Sequence, residues 1–158
     1  MTTIDPNRPA SATPDGAGIV GRGEGDGPGP DIMAADTLRG DKVISSDNEE
    51  VGKIAEIMLD VRSGRVAYAV LSSGGFLGIG DSLRAIPWSA LTLDTDDACF
   101  RLGVTADSVK DAPVFEKSAW PSMTDLEWGL KIHAHYHRRP YWTATEQAIS
   151  NDPPGLLL

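Results

Sequence analysis

Between residues 52 and 71 two apolar runs flank a three-residue turn, and this limits the fold more than any other feature of the chain. In the first run Ala55, Ile57, Leu59 and Val61 alternate with Glu56 and Asp60, the period of a half-buried strand. Arg62-Ser63-Gly64 follows, with a glycine where a positive φ is expected. Residues 66–71 are apolar without interruption and read as a strand buried on both faces. The pair predicts a β-hairpin. Further short strands are expected at residues 42–44, 83–86, 90–93 and 100–104, separated by turn clusters such as Ser45-Ser46-Asp47-Asn48 and Thr95-Asp96-Asp97. Pro87 fits a bend or an edge, not a central ladder. Six strands at hairpin spacing predict a mainly β fold, a small antiparallel barrel or sandwich. Closure is attractive because a small open sheet leaves exposed edges.

Composition bounds the rest. Of 17 Gly and 11 Pro, seven Gly and five Pro fall in residues 1–36. Residues 1–35 therefore read as a disordered, acidic arm that buries too little to offset its ordering entropy. A docking role through Ile19 and Val20 is the alternative. The net charge of −9 disfavours nucleic-acid binding. The longest apolar run, six residues, is far short of the roughly 20 that span a bilayer. No apolar stretch follows Met1, and Cys99 is the single cysteine, so a reducing, cytoplasmic setting is expected. Cys99 alternates with core positions and is expected to point outward or to a secondary layer, with no base motif to make it a nucleophile.

Residues 105–142 change character. Residues 107–111 suit one helical turn before Pro113, and six of the ten aromatic residues lie between Phe115 and Trp142. In residues 125–137, Leu126, Trp128, Leu130, Ile132, Ala134 and Tyr136 occupy every second position, a strand period. Yet Thr124-Asp125-Leu126-Glu127 has the form of a capping box, which favours a helix. On a helix the apolar residues form two opposed stripes, Leu126/Leu130/Ala134 and Trp128/Ile132/Tyr136. One stripe is expected on the barrel and the other on a second subunit, which implies a homo-oligomer. Alternatively both are buried within one chain, against residues 115–120. Residues 143–158 read as a loose tail.

Motifs for chemistry are sparse. Residues 75–82 have the spacing of a phosphate-binding loop, but Asp81 stands where the lysine belongs and a strand follows. The loop instead offers Phe76, Leu77 and Ile79 as a contact patch. His133, His135 and His137 are the only histidines. On a helix His133 and His137 share a face, and a small metal-binding protein using this pair is the alternative function, although a third ligand is wanting. The acidic clusters at residues 47–50 and 94–97 sit at turns. No catalytic or cofactor-binding residue is assigned.

Four segments together resemble one family. Asp47-Asn48-Glu49-Glu50-Val51-Gly52-Lys53-Ile54, the strand Ala67-Tyr68-Ala69-Val70-Leu71, the loop Gly74-Gly75-Phe76-Leu77-Gly78-Ile79-Gly80-Asp81, and Ile86-Pro87-Trp88-Ser89-Ala90-Leu91 resemble the PRC-barrel domain family. Trp120-Pro121, Glu127-Trp128-Gly129 and Arg139-Pro140-Tyr141-Trp142 are similar to the extension of its stand-alone bacterial members. The resemblance implies a six-stranded antiparallel β-barrel over residues 36–104 and a C-terminal aromatic-rich helical extension over 105–142. The family includes the cytoplasmic part of the photosynthetic reaction centre H subunit and a domain of a ribosome maturation factor, both binding modules and not enzymes. The expectation is a non-enzymatic, H-subunit-like assembly module without cofactor. Its partners are expected to be proteins, a second copy included, and peripheral attachment to a membrane complex is compatible with it. Its expected contacts are Phe76, Leu77, Ile79, Trp128, Ile132 and Tyr136.

Overall fold

A computed structural model describes residues 16–22, 29–74 and 82–142. In chain order these form strand β1 (Gly18–Val20), helix α1 (Ala35–Leu38), β2 (Lys42–Ile44), β3 (Glu50–Asp60), β4 (Arg65–Ser73) and β5 (Ser82–Pro87). A single 3-10 turn, Trp88–Ala90, leads to β6 (Leu91–Asp94), β7 (Cys99–Leu102), α2 (Ala106–Lys110) and α3 (Leu126–His135).

All six expected strands are present, but the sheet differs from the expected barrel in three ways. It has seven strands among the described residues, in the order β1-β6-β7-β2-β3-β4-β5. It is mixed, because β2 runs parallel to β7 and β1 runs parallel to β6. It is also open, with β1 and β5 at its edges. The physical reason lies at the seam. β5 and β6 stand at opposite ends of the six central strands yet are joined by a three-residue turn, so the sheet curls back on itself. The outer edge of β6 is then taken by β1, and the edge of β5 by Phe115, whose N–H and C=O exchange hydrogen bonds with Leu83 at 2.8 and 3.0 Å. Residues 18–20 were expected to lie in a disordered arm. Their backbone pairing on β6 corrects that for this segment, while residues 1–15 and 23–28 lie outside the described residues, as does the tail 143–158.

The β3–β4 hairpin is the longest pairing, and its turn is as expected. Gly64 has φ +75°, and the Asp60 carboxylate accepts from the Arg62 and Ser63 amides at 3.1 Å each. Two irregularities interrupt the ladder, at residues 54–56 and 58–59. Leu59, expected to face inward, follows the second irregularity and is exposed, and Val61, 86% exposed, lies beyond β3 in the turn. β4 shows the two-sided burial from Ala67 to Leu71, while Val66 at its start is half-buried. The core joins these to Val43, Ile54, Ile86, Leu91, Phe100 and Leu102. Cys99, expected to point outward or to a secondary layer, is buried, and burial pushes its thiol pKa up and away from nucleophilic use.

The C-terminal region is helical, as the cap implied, although a different residue caps it. Thr105 accepts from the Ser108 amide at the start of α2. At α3 the N-cap is Asp125, not Thr124; its carboxylate accepts from the amides of Glu127 at 2.9 Å and Trp128 at 3.4 Å. His135 Nε2 lies 2.7 Å from the Ser108 carbonyl oxygen and, as donor, ties α3 to α2.

Candidate interaction surface

Which side of α3 meets the sheet is decided by residues that do not look apolar. Its inward face carries Gly129, Ile132, His133 and Tyr136, a helical i, i+3, i+4, i+7 set. A Cβ at Gly129 would meet the Trp142 ring at 2.7 Å and the Tyr68 hydroxyl at 3.1 Å, so only glycine lets those rings approach. His133 is buried beside Tyr68, Tyr141 and Trp142, with ring centroids 5.4 to 6.0 Å apart. Trp128 stacks edge-on against Tyr68 at 5.3 Å. Trp128, Tyr141 and Trp142 of the extension thus cluster with His133 around Tyr68 of β4, while Phe115 and Trp120 form a separate pair at 5.0 Å.

This reverses the assignment of the two stripes. Ile132 and Tyr136, expected as partner contacts, are 1% and 4% exposed and belong to the core, with Trp128 half-buried beside them. The opposite stripe faces solvent: Leu126 is 62% exposed and Leu130 51%. Two leucines one turn apart on the outer face of a helix form an apolar strip that no described residue covers. The other expected contacts, Phe76, Leu77 and Ile79, lie outside the described residues.

The histidines do not assemble as a metal pair. The short 2.7 Å contact makes His133 Nδ1 a donor to the Gly129 carbonyl. Nε2 then accepts from the Tyr141 amide at 3.3 Å, so both nitrogens are committed. His137 lies beyond the helix end at φ +56°. Among the described residues no three His, Cys, Asp or Glu side chains group as metal ligands.

The acidic turns are likewise engaged in structure. Arg101 binds Asp94 at 2.8 Å and Asp97 at 2.7 Å, and the Arg101 hydrogen bond holds the Asp94 carboxyl below the usual range. Asp47, bonded by the Ser45 hydroxyl, also accepts from the Ala106 amide at 3.0 Å, and both bonds lower its pKa. The Tyr141 hydroxyl donates to Asp60 at 3.0 Å, and burial first, then this bond, pushes the Tyr141 pKa up to about 12.

At the far edge, the arm is held on β6 by backbone pairing and by its ends. The Val20 carbonyl accepts from the Thr95 amide at 3.0 Å and from the Thr95 hydroxyl at 3.1 Å. The Arg22 amide donates to Asp96 at 3.1 Å. Beside the arm a cavity of about 440 Å³ runs from Gly16 and Gly18 past Thr92 to Tyr136 and Arg138.

Residues 30–99 match the PRC-barrel domain. The chain carries a PRC-barrel domain. The matched segment runs from just before α1 to the first residue of β7, so β1, most of β7 and the aromatic extension lie outside it. A crystal structure from Pseudomonas aeruginosa, named for RimM, a 16S ribosomal RNA processing protein, is similar at 22% identity with a TM-score of 0.34. The likeness covers 48% of this chain and 45% of that one, so the present chain spans under half of that protein's length. No curated protein matches. Among the described residues no helix is long and apolar enough to cross a membrane.

Two parts of this surface escape the sequence reading. The Leu126/Leu130 stripe is visible in it, but nothing apolar marks Gly129 and His133 as the face opposite. The docking of residues 18–20 has only the pair Ile19-Val20 as its signal, amid glycine.

Proposed function

We propose that this PRC-barrel protein is a non-enzymatic interaction module that self-associates through the outer face of α3. The observation that carries this reading is the exposed Leu126/Leu130 strip on a helix whose other side is fully engaged with the sheet. Four titratable groups of the described residues support it. His133, Asp47, Asp60 and Asp94 each hold backbone or side-chain bonds that fix turns and helix ends, which is structural work and not acid–base work. A module of this kind works by contact, as the cytoplasmic part of the reaction-centre H subunit does within the family it resembles. The loop residues Phe76, Leu77 and Ile79 remain the second proposed contact.

Sedimentation velocity over a wide concentration range tests the first contact. The wild-type chain is expected to gain mass with concentration, and the double variant Leu126→Asp/Leu130→Asp to stay monomeric. Both side chains are exposed, so the variant should keep its stability within about 0.5 kcal/mol. A wild-type chain that stays monomeric at millimolar concentration refutes self-association. For the loop, a pull-down in which Leu77→Asp retains every partner argues against that contact.

A further inference from the structure

We infer that the outer edge of β6 is a strand-docking site, occupied in cis by the chain's own Gly18–Val20 and open to an extended partner segment of the same chemistry. That chemistry is a small residue followed by two β-branched residues, laid parallel to β6. The inference rests on the interaction-module reading, but on a different surface from α3.

The seat of β1 defines what the edge accepts. Gly18 lies opposite Thr92, Ile19 opposite Leu93 and Val20 opposite Asp94. A Cβ at position 18 would sit 3.1 Å from Thr92 Oγ1, so the first position favours the smallest residue. Ile19 and Val20 stay partly exposed and are stiff, β-preferring side chains that suit an edge. The next carbonyl contact is specific: the Thr95 amide and hydroxyl both donate to the Val20 oxygen. Recognition is thus mainly main-chain, the mode in which a peptide adds a strand to a sheet.

The same geometry argues that the arm leaves. Only three residue pairs join β1 to β6, against seven between β3 and β4. Strand addition of this length is marginal by itself. The arm holds its place by its tether, which gives it an effective concentration on the order of millimolar. A partner strand of equal fit therefore competes only when the arm is weakened, which makes the arm a built-in competitor. When it leaves, β6 presents a row of unpaired N–H and C=O groups, the template that sheets otherwise cover.

The test keeps the full chain and loosens only the arm. Gly21 has φ +102°, and a Cβ there would lie 2.3 Å from Thr95 Oγ1, so Gly21→Val should unseat it; Gly18→Val is the second variant. Hydrogen exchange at the Thr95 amide reads whether the arm has left. The probe is a fluorescent peptide of residues 14–22, with a scrambled peptide as control, followed by anisotropy. The expected result is loss of Thr95 protection in the variants and peptide binding at least about tenfold tighter than to the wild-type chain, the gain from removing a closed state. Protection of Thr95 in both variants would show a fixed strand and overturn the proposal, as would free Thr95 without peptide binding. Dimer formation by the variants in place of peptide binding would assign the edge to a second copy and overturn the partner stated here. None of these outcomes depends on Leu126 or Leu130, so failure of the α3 contact and failure of the β6 edge are read separately.

Discussion

Replacing Gly52 by alanine should damage this fold more than its size suggests. Gly52 lies in β3 at φ +153°, and an added Cβ would stand 2.3 Å from the Ser72 carbonyl oxygen on β4 and 2.8 Å from Leu71 Cδ1. Ordinary contact begins near 3.4 Å, so the two strands have to part by about 1 Å at this point. The carbonyl is backbone in the longest ladder and cannot swing aside as a side-chain tip can. Weakening a ladder hydrogen bond costs about 1 kcal/mol. Holding a non-glycine residue at this φ costs about 1–3 kcal/mol. Forcing Leu71, fully buried, to repack costs about 1–3 kcal/mol more. Gly52→Ala should therefore lose about 3–7 kcal/mol, a large share of the 5–15 kcal/mol typical of a domain. Urea denaturation followed by tryptophan fluorescence measures it. Gly40→Ala is the control, because Gly40 has φ +87° and its Cβ would meet nothing within 4 Å. That variant carries only the conformational cost of about 1–2 kcal/mol. Equal shifts in midpoint for the two variants would refute the argument from the Ser72 contact.

Other perturbations follow from single bonds or their lack. Tyr68→Phe removes a buried hydroxyl that has no hydrogen-bond partner among the described residues, so it should raise stability, by up to about 1 kcal/mol in thermal or chemical denaturation. Asp125→Ala takes away the cap of α3 and should cost about 1 kcal/mol, read as a lowered melting temperature. Tyr141→Phe leaves Asp60 without its hydroxyl donor and should cost about 1 kcal/mol in the same assay. Burial pulls the His133 pKa below the ordinary histidine value of about 6.5, so below that pH the unfolded chain binds the extra proton and the folded chain resists it. Stability from this site is complete above about pH 6.5 and falls as the pH drops towards the folded pKa. The slope should vanish in His133→Gln, whereas Asp60 and Asp94, held low by their hydrogen bonds, give up their share only at more acid pH.

The strands of the domain are legible because their signal is local. Alternation at residues 55–61, the apolar run at 66–71 and the glycine at 64 each depend on near neighbours, and each places its element correctly. Which way the sheet connects is not local. The parallel pairing of β2 with β7 joins Lys42 to Cys99 and leaves no trace in either three- or four-residue strand. The irregularities in the β3–β4 ladder defeat the period for another reason. The pairing slips between Met58 and Leu59, where Leu59 is exposed, and Val61 already belongs to the turn although its spacing continues the strand. Both stripes of α3 are legible, but which of them faces the sheet is not, since Gly129 and His133 on the hidden face carry no apolar signal. Glycine is there to admit Trp142 and Tyr68, and histidine to bridge Gly129 and Tyr141.

The pairing of β2 with β7 also orders events in time. β3, β4 and β5 follow one another as neighbours and close short loops, whereas β2 finds its second neighbour only after the chain has run on to residue 99. Contacts between residues so far apart in sequence form late, because their closure entropy is met only once the intervening hairpins have shortened the path. During synthesis the meander therefore stands ready while one side of β2 waits. A chain interrupted before β7 holds its hairpins but not its curl, and the last strand to seat, β1, has no finished β6–β7 edge to receive it.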